Sequence, residues 1–346
     1  MTKEELFSAL RNDETIEGED LSGVDLTGTD LSGARFERVR FRGTRLTGAQ
    51  IRRTGFKGCD FVGAVMEDVD LTKVVWIKMD LRGAILRRAA LNGAVLSGAD
   101  FTGTILAGAD LSGAVMDSAI LEKTDLSGAR LFRTLLSHAS LKEADLSGAD
   151  LSRAVFFHSD LGGARLKGAR IFKTFLRDCN LAGQDFRGGE FVMAQAGGAD
   201  FKGSDFTGAD VTQTNFMNAD MAGVRLDGIG GRQSVFLGAG LEGAGFRKAD
   251  LYQSCFEDSR LNQADFSGAN IEQAMFARAA CRATRFGGAR CAHTDFSHAD
   301  LTAADFSGAV LYRAKLHRIV EDHTIWDRSD RESALGTDPD LAEAEG

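Results

Sequence analysis

The sequence predicts an all-β solenoid, a chain that turns a corner every five residues and stacks coil on coil. Three observations lead there. From Leu21 to Leu316 a large apolar residue occupies almost every position whose number ends in 1 or 6. Positions ending in 4 or 9 are mostly Ala, Thr, Ser or Val. The period runs for about 300 residues without insertion or deletion, the signature of a repeat architecture.

The unit is clearest in Ala94-Val95-Leu96-Ser97-Gly98-Ala99-Asp100-Phe101-Thr102-Gly103. Each unit reads small, variable, large apolar, polar, Gly. A period of five fits neither a 3.6-residue helix nor a simple alternating strand. It fits an extended step followed by a corner. Residues two apart on an extended backbone share a face, so Ala99 and Phe101 face inward while Asp100 and Thr102 face out. Gly103 suits the corner because glycine takes positive φ without steric cost. Four corners close one coil of about 20 residues, stacked on the next at ~4.8 Å, and about 15 coils make a rod near 70 Å long.

Units such as Ala109-Asp110-Leu111-Ser112-Gly113, Ala149-Asp150-Leu151 and Ala209-Asp210-Val211 follow the consensus A(D/N)LxG. In this the chain resembles the pentapeptide-repeat family over about nine-tenths of its length. The resemblance implies a right-handed quadrilateral β-helix; the family name implies no particular activity.

In chain order, residues 1–15 form an N-terminal cap. Thr2 and Glu5 have capping-box spacing, and Leu6, Phe7 and Leu10 lie on one side of a short amphipathic helix. A solenoid end needs such a cap, because an open coil exposes its core and its strand edges. The repeat fills residues 16–326. One inward column runs Leu106, Leu126, Leu146, Leu166, Phe186, Phe206, and further on Phe246, Phe266, Phe286, Phe306, a ring ladder expected to stiffen the C-terminal half. Gly228-Ile229-Gly230-Gly231 and Ala196 leave central sites thinly filled, as a bend, as a gap, or absorbed by the coil. Residues 327–346 hold seven acidic and two basic residues and read as an acidic tail, solvated and disordered apart from one helical turn.

Composition narrows the rest. The net charge is −9, and the single proline, Pro339, lies outside the repeat, as expected where backbone N–H groups join ladders and turns. No apolar run is long enough to span a membrane, and the first residues lack a signal-peptide core. The five cysteines form neither CxxC nor a disulfide framework. Free thiols as small apolar fillers and a reducing cytoplasm are the expectation.

Function is sought on the outer columns, where residues 20 apart stack. One column reads Val75, Val95, Val115, Leu135, Val155, Phe175, with Phe157 beside it and Phe132 and Phe172 flanking it on the neighbouring face. On the first face the matching column is Asp60, Asp80, Asp100, Ile120, Ser140, Asp160. The apolar column is an outward stripe about 25 Å long at the ladder spacing. β-branched residues favour strands everywhere, which does not explain their restriction to one face. An exposed apolar patch of this kind marks an interface with a partner protein or a second copy of the chain.

Other columns read as structural. Gln213, Gln233, Gln253 and Gln273 form a corner column whose amides bond up the stack. His138, His158 and Asp178 share a corner, but two imidazoles and a carboxylate in water ordinarily stay unligated, so no metal is assigned. Arg35 to Lys57 contains eight basic residues and one acidic one, without the interleaved aromatics of a single-strand binder, and reads as a solvated basic face. No phosphate loop, zinc spacing or activated nucleophile is present, and a closed rod offers no evident cleft, so neither an enzyme nor a cofactor is expected.

Two functions follow. The first is a non-catalytic binding scaffold; the long repeat, helical start and acidic end are similar in layout to bacterial pentapeptide proteins associated with type VI secretion. The second comes from family members that protect DNA gyrase by resembling DNA in shape and charge. Against it, over half the net negative charge lies in the tail, the early coils are basic, and the tail stands where a terminal dimer helix would be.

Overall fold

A computed structural model describes residues 1–345, which fall into two compact units, Met1–Arg170 and the residues from Ile171 onward. The first unit opens with helix α1, Lys3–Arg11. The Thr2 hydroxyl accepts from the Glu5 N–H at 3.2 Å and the Glu5 carboxylate accepts from the Thr2 N–H at 2.7 Å, closing the capping box. Leu6 and Ala9 are the buried pair on this helix; Phe7 and Leu10 are only half-buried, a correction to the expected stripe.

Strands β1 (Thr15–Glu17), β2 (Arg35–Glu37) and β3 (Gly55–Lys57) pair in parallel in the order β1-β2-β3, each 20 residues from the next. Elsewhere pairing shrinks to single bridges between residues ending in 0 or 5, again 20 apart, such as Val95↔Val115 and Asp80↔Asp100. Continuous extended walls do not form, because the turn takes up the other residues of each unit.

The consensus follows from where its five N–H groups go. The Leu111 and Gly113 N–H groups donate to the next coil, at Arg130 O (2.8 Å) and Phe132 O (2.9 Å). The Val115 N–H donates to the previous one, at Ala94 O, 2.8 Å. The Ala114 N–H closes the turn on Leu111 O at 2.9 Å. That leaves the Ser112 N–H, which donates to Asp110 Oδ1 at 3.0 Å. The consensus Asp is therefore a backbone acceptor as well as a surface charge. The consensus Gly sits at positive φ, 66° at Gly113, and Arg133, Gln213 and His293 hold the same conformation at 59°, 57° and 58°.

Inside, large side chains stack by coil. In the second unit two phenylalanine columns run side by side: Phe246–Phe266 and Phe286–Phe306 stack at 4.6 and 4.5 Å, and Phe236–Phe256 and Phe256–Phe276 both stack at 4.7 Å. Rings of opposite columns meet edge-on, as at Phe256–Phe266, 88° between planes. The sequence reading found one of these columns and missed the other. Inward threonines reach the coil below, as where Thr124 Oγ1 donates to Phe101 O at 2.8 Å, and Ser254 and Ser259 donate to carbonyls of their own coil.

The thin sites are absorbed. Gly231 keeps its ladder bond to Asp250 O at 2.8 Å, and a Cβ there would meet Leu251 Cδ2 at 2.8 Å, so neighbours already fill the space. Ala196 keeps its bond to Asn215 O at 2.8 Å. The acidic segment is more ordered than expected. A 3-10 turn at Arg331–Ser333, a bridge Lys315↔Leu335 and helix α2, Pro339–Ala344, fold it back on the last coils. Residue 346 lies outside the described residues.

Candidate protein interface

The ladder Val75↔Val95↔Val115↔Leu135↔Val155 is continuous within the first unit, and all five side chains point outward. Val75 is 63 % exposed and Leu135 38 %, while Val95, Val115 and Val155 are half-buried by their neighbours in the column. Phe132 and Phe157 flank the column, both half-buried. The Arg133 and Arg153 guanidinium groups lie over the Phe132 ring at 5.2 and 5.8 Å, a cationic margin to the stripe. In the second unit Phe175 faces outward at 38 % exposure, and Lys173 Nζ lies 5.2 Å from the half-buried Phe172 ring. The structure adds Ile77, 56 % exposed and next to Val75, which column reading overlooked because the rest of its column is Ser97, Asp117, Ser137 and Phe157.

The exposure at Val75 and Ile77 has a cause. Between Asp60↔Asp80 on one side and Arg45↔Val65 on the other, the coils part. Among the described residues, no backbone hydrogen bond joins 49–58 to 69–78. The inward residues Thr54 and Val74 are half-exposed there, unlike their counterparts Ala94 and Ala114. At this level Trp76 fills the central site, stacked on Phe61 at 5.0 Å and edge-on to Phe56 at 5.7 Å. An indole lying flat fits at ladder spacing, as Trp326 does on Phe306 at 4.6 Å, but Trp76 meets Phe56 edge-on, and a ring turned across the column overfills the ~4.8 Å between coils. The result is a cleft of about 590 Å³ lined by Arg52, Arg53, Phe56, Lys73 and Trp76 among others. The expectation that the rod offers no cleft is thereby corrected. Register survives the parting: pairing resumes at the same 20-residue offset.

The basic stretch is largely neutralised across coils. Arg35 pairs with Asp13 (3.2 Å), Arg40 with Asp20 (2.9 Å), Arg42 with Asp60 (2.5 Å), Arg52 with Asp70 (3.4 Å), and Arg38 with Glu17. The acidic columns are likewise taken up. The Ser22 hydroxyl and N–H, with Arg40, hold the Asp20 carboxyl down to about 2. The Arg82 guanidinium beside Asp80 keeps that carboxyl below its ordinary range.

The glutamine column forms the amide ladder it suggested: Gln213 to Gln233, Gln233 to Gln253 and Gln253 to Gln273 bond at 2.8, 3.0 and 2.9 Å. The His138 and His158 rings stack at 5.2 Å; Asp178 belongs to the other unit. A different cluster, invisible to column reading, gathers His298 and His317 around Glu345. Glu345 meets His298 Nε2 at 3.3 Å, His317 Nε2 at 3.1 Å and Arg318 at 3.4 Å. His317 Nδ1 accepts the Asp338 N–H at 3.1 Å, so its proton is on Nε2, aimed at the carboxylate. That tautomer has no lone pair left for a cation, and a guanidinium already shares Glu345. The cluster clasps the tail.

Cys59, Cys179, Cys281 and Cys291 are buried and Cys255 half-buried, all as free thiols; burial pushes Cys59 up to about 11 and Cys281 and Cys291 further. The four buried ones fill the core, while Cys255 stands in the outward column between Val235 and Met275. No helix among the described residues is long and apolar enough to cross a membrane.

Comparison with known proteins bears on the fold. The family model "Pentapeptide repeats" matches in eight copies over residues 20–58, 59–98, 94–131, 134–171, 197–229, 244–279 and 279–318. Among solved structures the chain is similar to HetL, a pentapeptide repeat protein involved in heterocyst differentiation regulation in the cyanobacterium Nostoc sp. strain PCC 7120. That match has 19% identity, covers 98% of each chain and has a TM-score of 0.23. It is also similar to QnrB1, a plasmid-mediated fluoroquinolone resistance protein, at 18% identity over 58% of this chain and 91% of that one, with a TM-score of 0.40. A pentapeptide repeat protein from the Arabidopsis thaliana thylakoid lumen matches at 28% identity over 32% of this chain and 70% of its own, with a TM-score of 0.22. No curated protein matches.

Proposed function

The chain belongs to the pentapeptide-repeat family, and from that premise we propose that it is a non-catalytic, protein-binding scaffold. The observation that carries this reading is the outward apolar ladder from Val75 to Val155, with Phe132 and Phe157 at its sides. Water contacts this face unless a second protein, or a second copy of the chain, covers it. Phe172 and Phe175, which belong to the second unit, carry the same apolar chemistry on its own surface. The coil is proposed to be right-handed and four-sided, which places the stripe on one flat wall. The free, mostly buried thiols support a cytoplasmic setting. An accessory role in bacterial type VI secretion is the finer form of this proposal and rests on layout alone.

The test is the double variant Val115→Asp with Val155→Asp. Both side chains point away from the core, so the circular dichroism spectrum and melting temperature are expected to stay near wild type. Partner capture, or self-association measured by light scattering, is expected to be lost. Unchanged association would sink the stripe as an interface.

A gyrase-binding, DNA-mimic reading draws on the net charge of −9. Its weakness is electrostatic: Asp20, Asp60 and Asp80 are held by turn N–H groups and by Arg40, Arg42 and Arg82. Carboxylates neutralised in this way present little of the field that a phosphate backbone does. Protection of gyrase from a quinolone in a supercoiling assay would reverse the ranking.

A further inference from the structure

We propose that the cleft beside Trp76 is a strand-accepting site for an extended acidic peptide of a partner protein, which pairs with the free edge of β3. The inference does not rest on the apolar stripe; it comes from unpaired backbone.

β3 is the last strand of its sheet, with β2 on one edge only. On the cleft side of this coil the N–H groups of Ile51, Arg53 and Gly58 and the carbonyl of Thr54 make no backbone hydrogen bond. Across the cleft the same holds for the N–H groups of Asp70 and Val75 and the carbonyls of Thr72 and Ile77. In the closed coil at residues 111–115 the equivalent groups, at Leu111, Gly113 and Val115, are all bonded at 2.8–2.9 Å. An exposed row of donors and acceptors at strand geometry is the template on which an extended chain adds.

A second feature, in the side chains, marks the same opening as incompletely closed. Trp76 is 1 % exposed and lines the cleft, and its indole Nε1–H is buried without a partner. A buried donor left without a partner is costly, so the wall at Trp76 is not a self-satisfied contact between coils. Charge then selects the sequence. The rim carries Arg52, Arg53 and Lys73 against Asp70. Arg52 is paired with Asp70, while Arg53 and Lys73 have no carboxylate within ion-pair distance among the described residues. Side chains of a bound strand alternate, so one set faces the opening between the coils while intervening acidic ones reach Arg53 and Lys73.

The experiment uses the full chain carrying Trp326→Phe, leaving Trp76 as the single indole, and a synthetic peptide (Thr-Asp-Val-Asp)2. In the free protein, amide exchange at Ile51, Arg53, Gly58 and Val75 is expected to be about 100-fold faster than at Leu111, Gly113 and Val115. Added peptide should slow these amides about tenfold and shift the Trp76 emission. Arg53→Glu with Lys73→Glu should weaken binding by about tenfold or more, as should changing the peptide to (Thr-Lys-Val-Lys)2. Trp76→Leu should close the coil, protecting the same amides and abolishing binding. Slow exchange in the free protein overturns the proposal, since the edge is then already paired. Fast exchange without peptide binding, or binding that survives Trp76→Leu, overturns it equally. The Val115→Asp, Val155→Asp variant leaves the cleft intact, so loss of the stripe's function and loss of this site are separately observable.

Discussion

At the residue scale the repeat is a solution to hydrogen-bond accounting. Four of five N–H groups in a unit find carbonyls through the coil itself, and the fifth finds the Asp side chain. The consensus Asp therefore has two separable parts, an acceptor oxygen and a charge. Asp125 accepts from the Ser127 N–H at 3.0 Å. Asp125→Ala is expected to cost about 1 kcal/mol in urea unfolding, and Asp125→Asn clearly less, because the amide oxygen still accepts. The same bonds set a pH dependence. Folded carboxyls at Asp20, Asp25, Asp30 and Asp70 lie below their ordinary value because turn hydroxyl and N–H groups donate to the charged form. A depressed folded value means stability is fully present above the unfolded value of 3.8 and is lost as pH falls toward about 2. The urea midpoint should accordingly be level from neutral pH down to about 5 and fall below about 4.

At the scale of elements, stacking columns replace ordinary strands. Three short strands pair at the N-terminal end, and beyond them single bridges alternate with turns. What stiffens such a coil is the inside. Phe266 stacks between Phe246 and Phe286 at 4.6 and 5.3 Å and meets Phe256 edge-on at 5.5 Å. Phe266→Ala removes a ring that touches both columns and is expected to cost about 3–5 kcal/mol in denaturant unfolding. The ends are closed by polar contacts instead. The capping box holds α1, and the His317, Arg318 and Glu345 clasp holds α2.

At the scale of the molecule, the governing quantity is the 20-residue offset. Among the described residues every bridge obeys it, on both sides of the opening at Trp76. A change that preserves the offset should be tolerated and one that breaks it should not. Removing residues 101–120, one whole coil, is expected to leave cooperative thermal unfolding and a melting temperature within roughly 5 °C of wild type. Deleting Gly103 alone slides every later residue by one place, turning inward side chains outward, and should lower the melting temperature by roughly 10 °C or more. Stability thus resides in periodic stacking, and the proposed binding sites lie in the few places where the outer wall departs from its polar norm.

How much of this the amino-acid order settled depends on the range of the interaction. The period, the inward positions, the ladder Val75 to Val155, the glutamine column and the helical cap follow from local pattern, because a strict repeat converts sequence separation directly into spatial neighbourhood. The chain at Trp76 keeps the central apolar positions Leu71, Trp76 and Leu81, yet the coil opens there; how an indole is oriented depends on the volume left by Phe56 and Phe61, which no single unit encodes. The tail is the other case. His298, His317 and Glu345 are far apart in number and outside any common column, so only the folded backbone, turning back past Asp338, brings them together. Periodicity determined what stacks on what, and tertiary packing decided where the stack gives way and where it is closed.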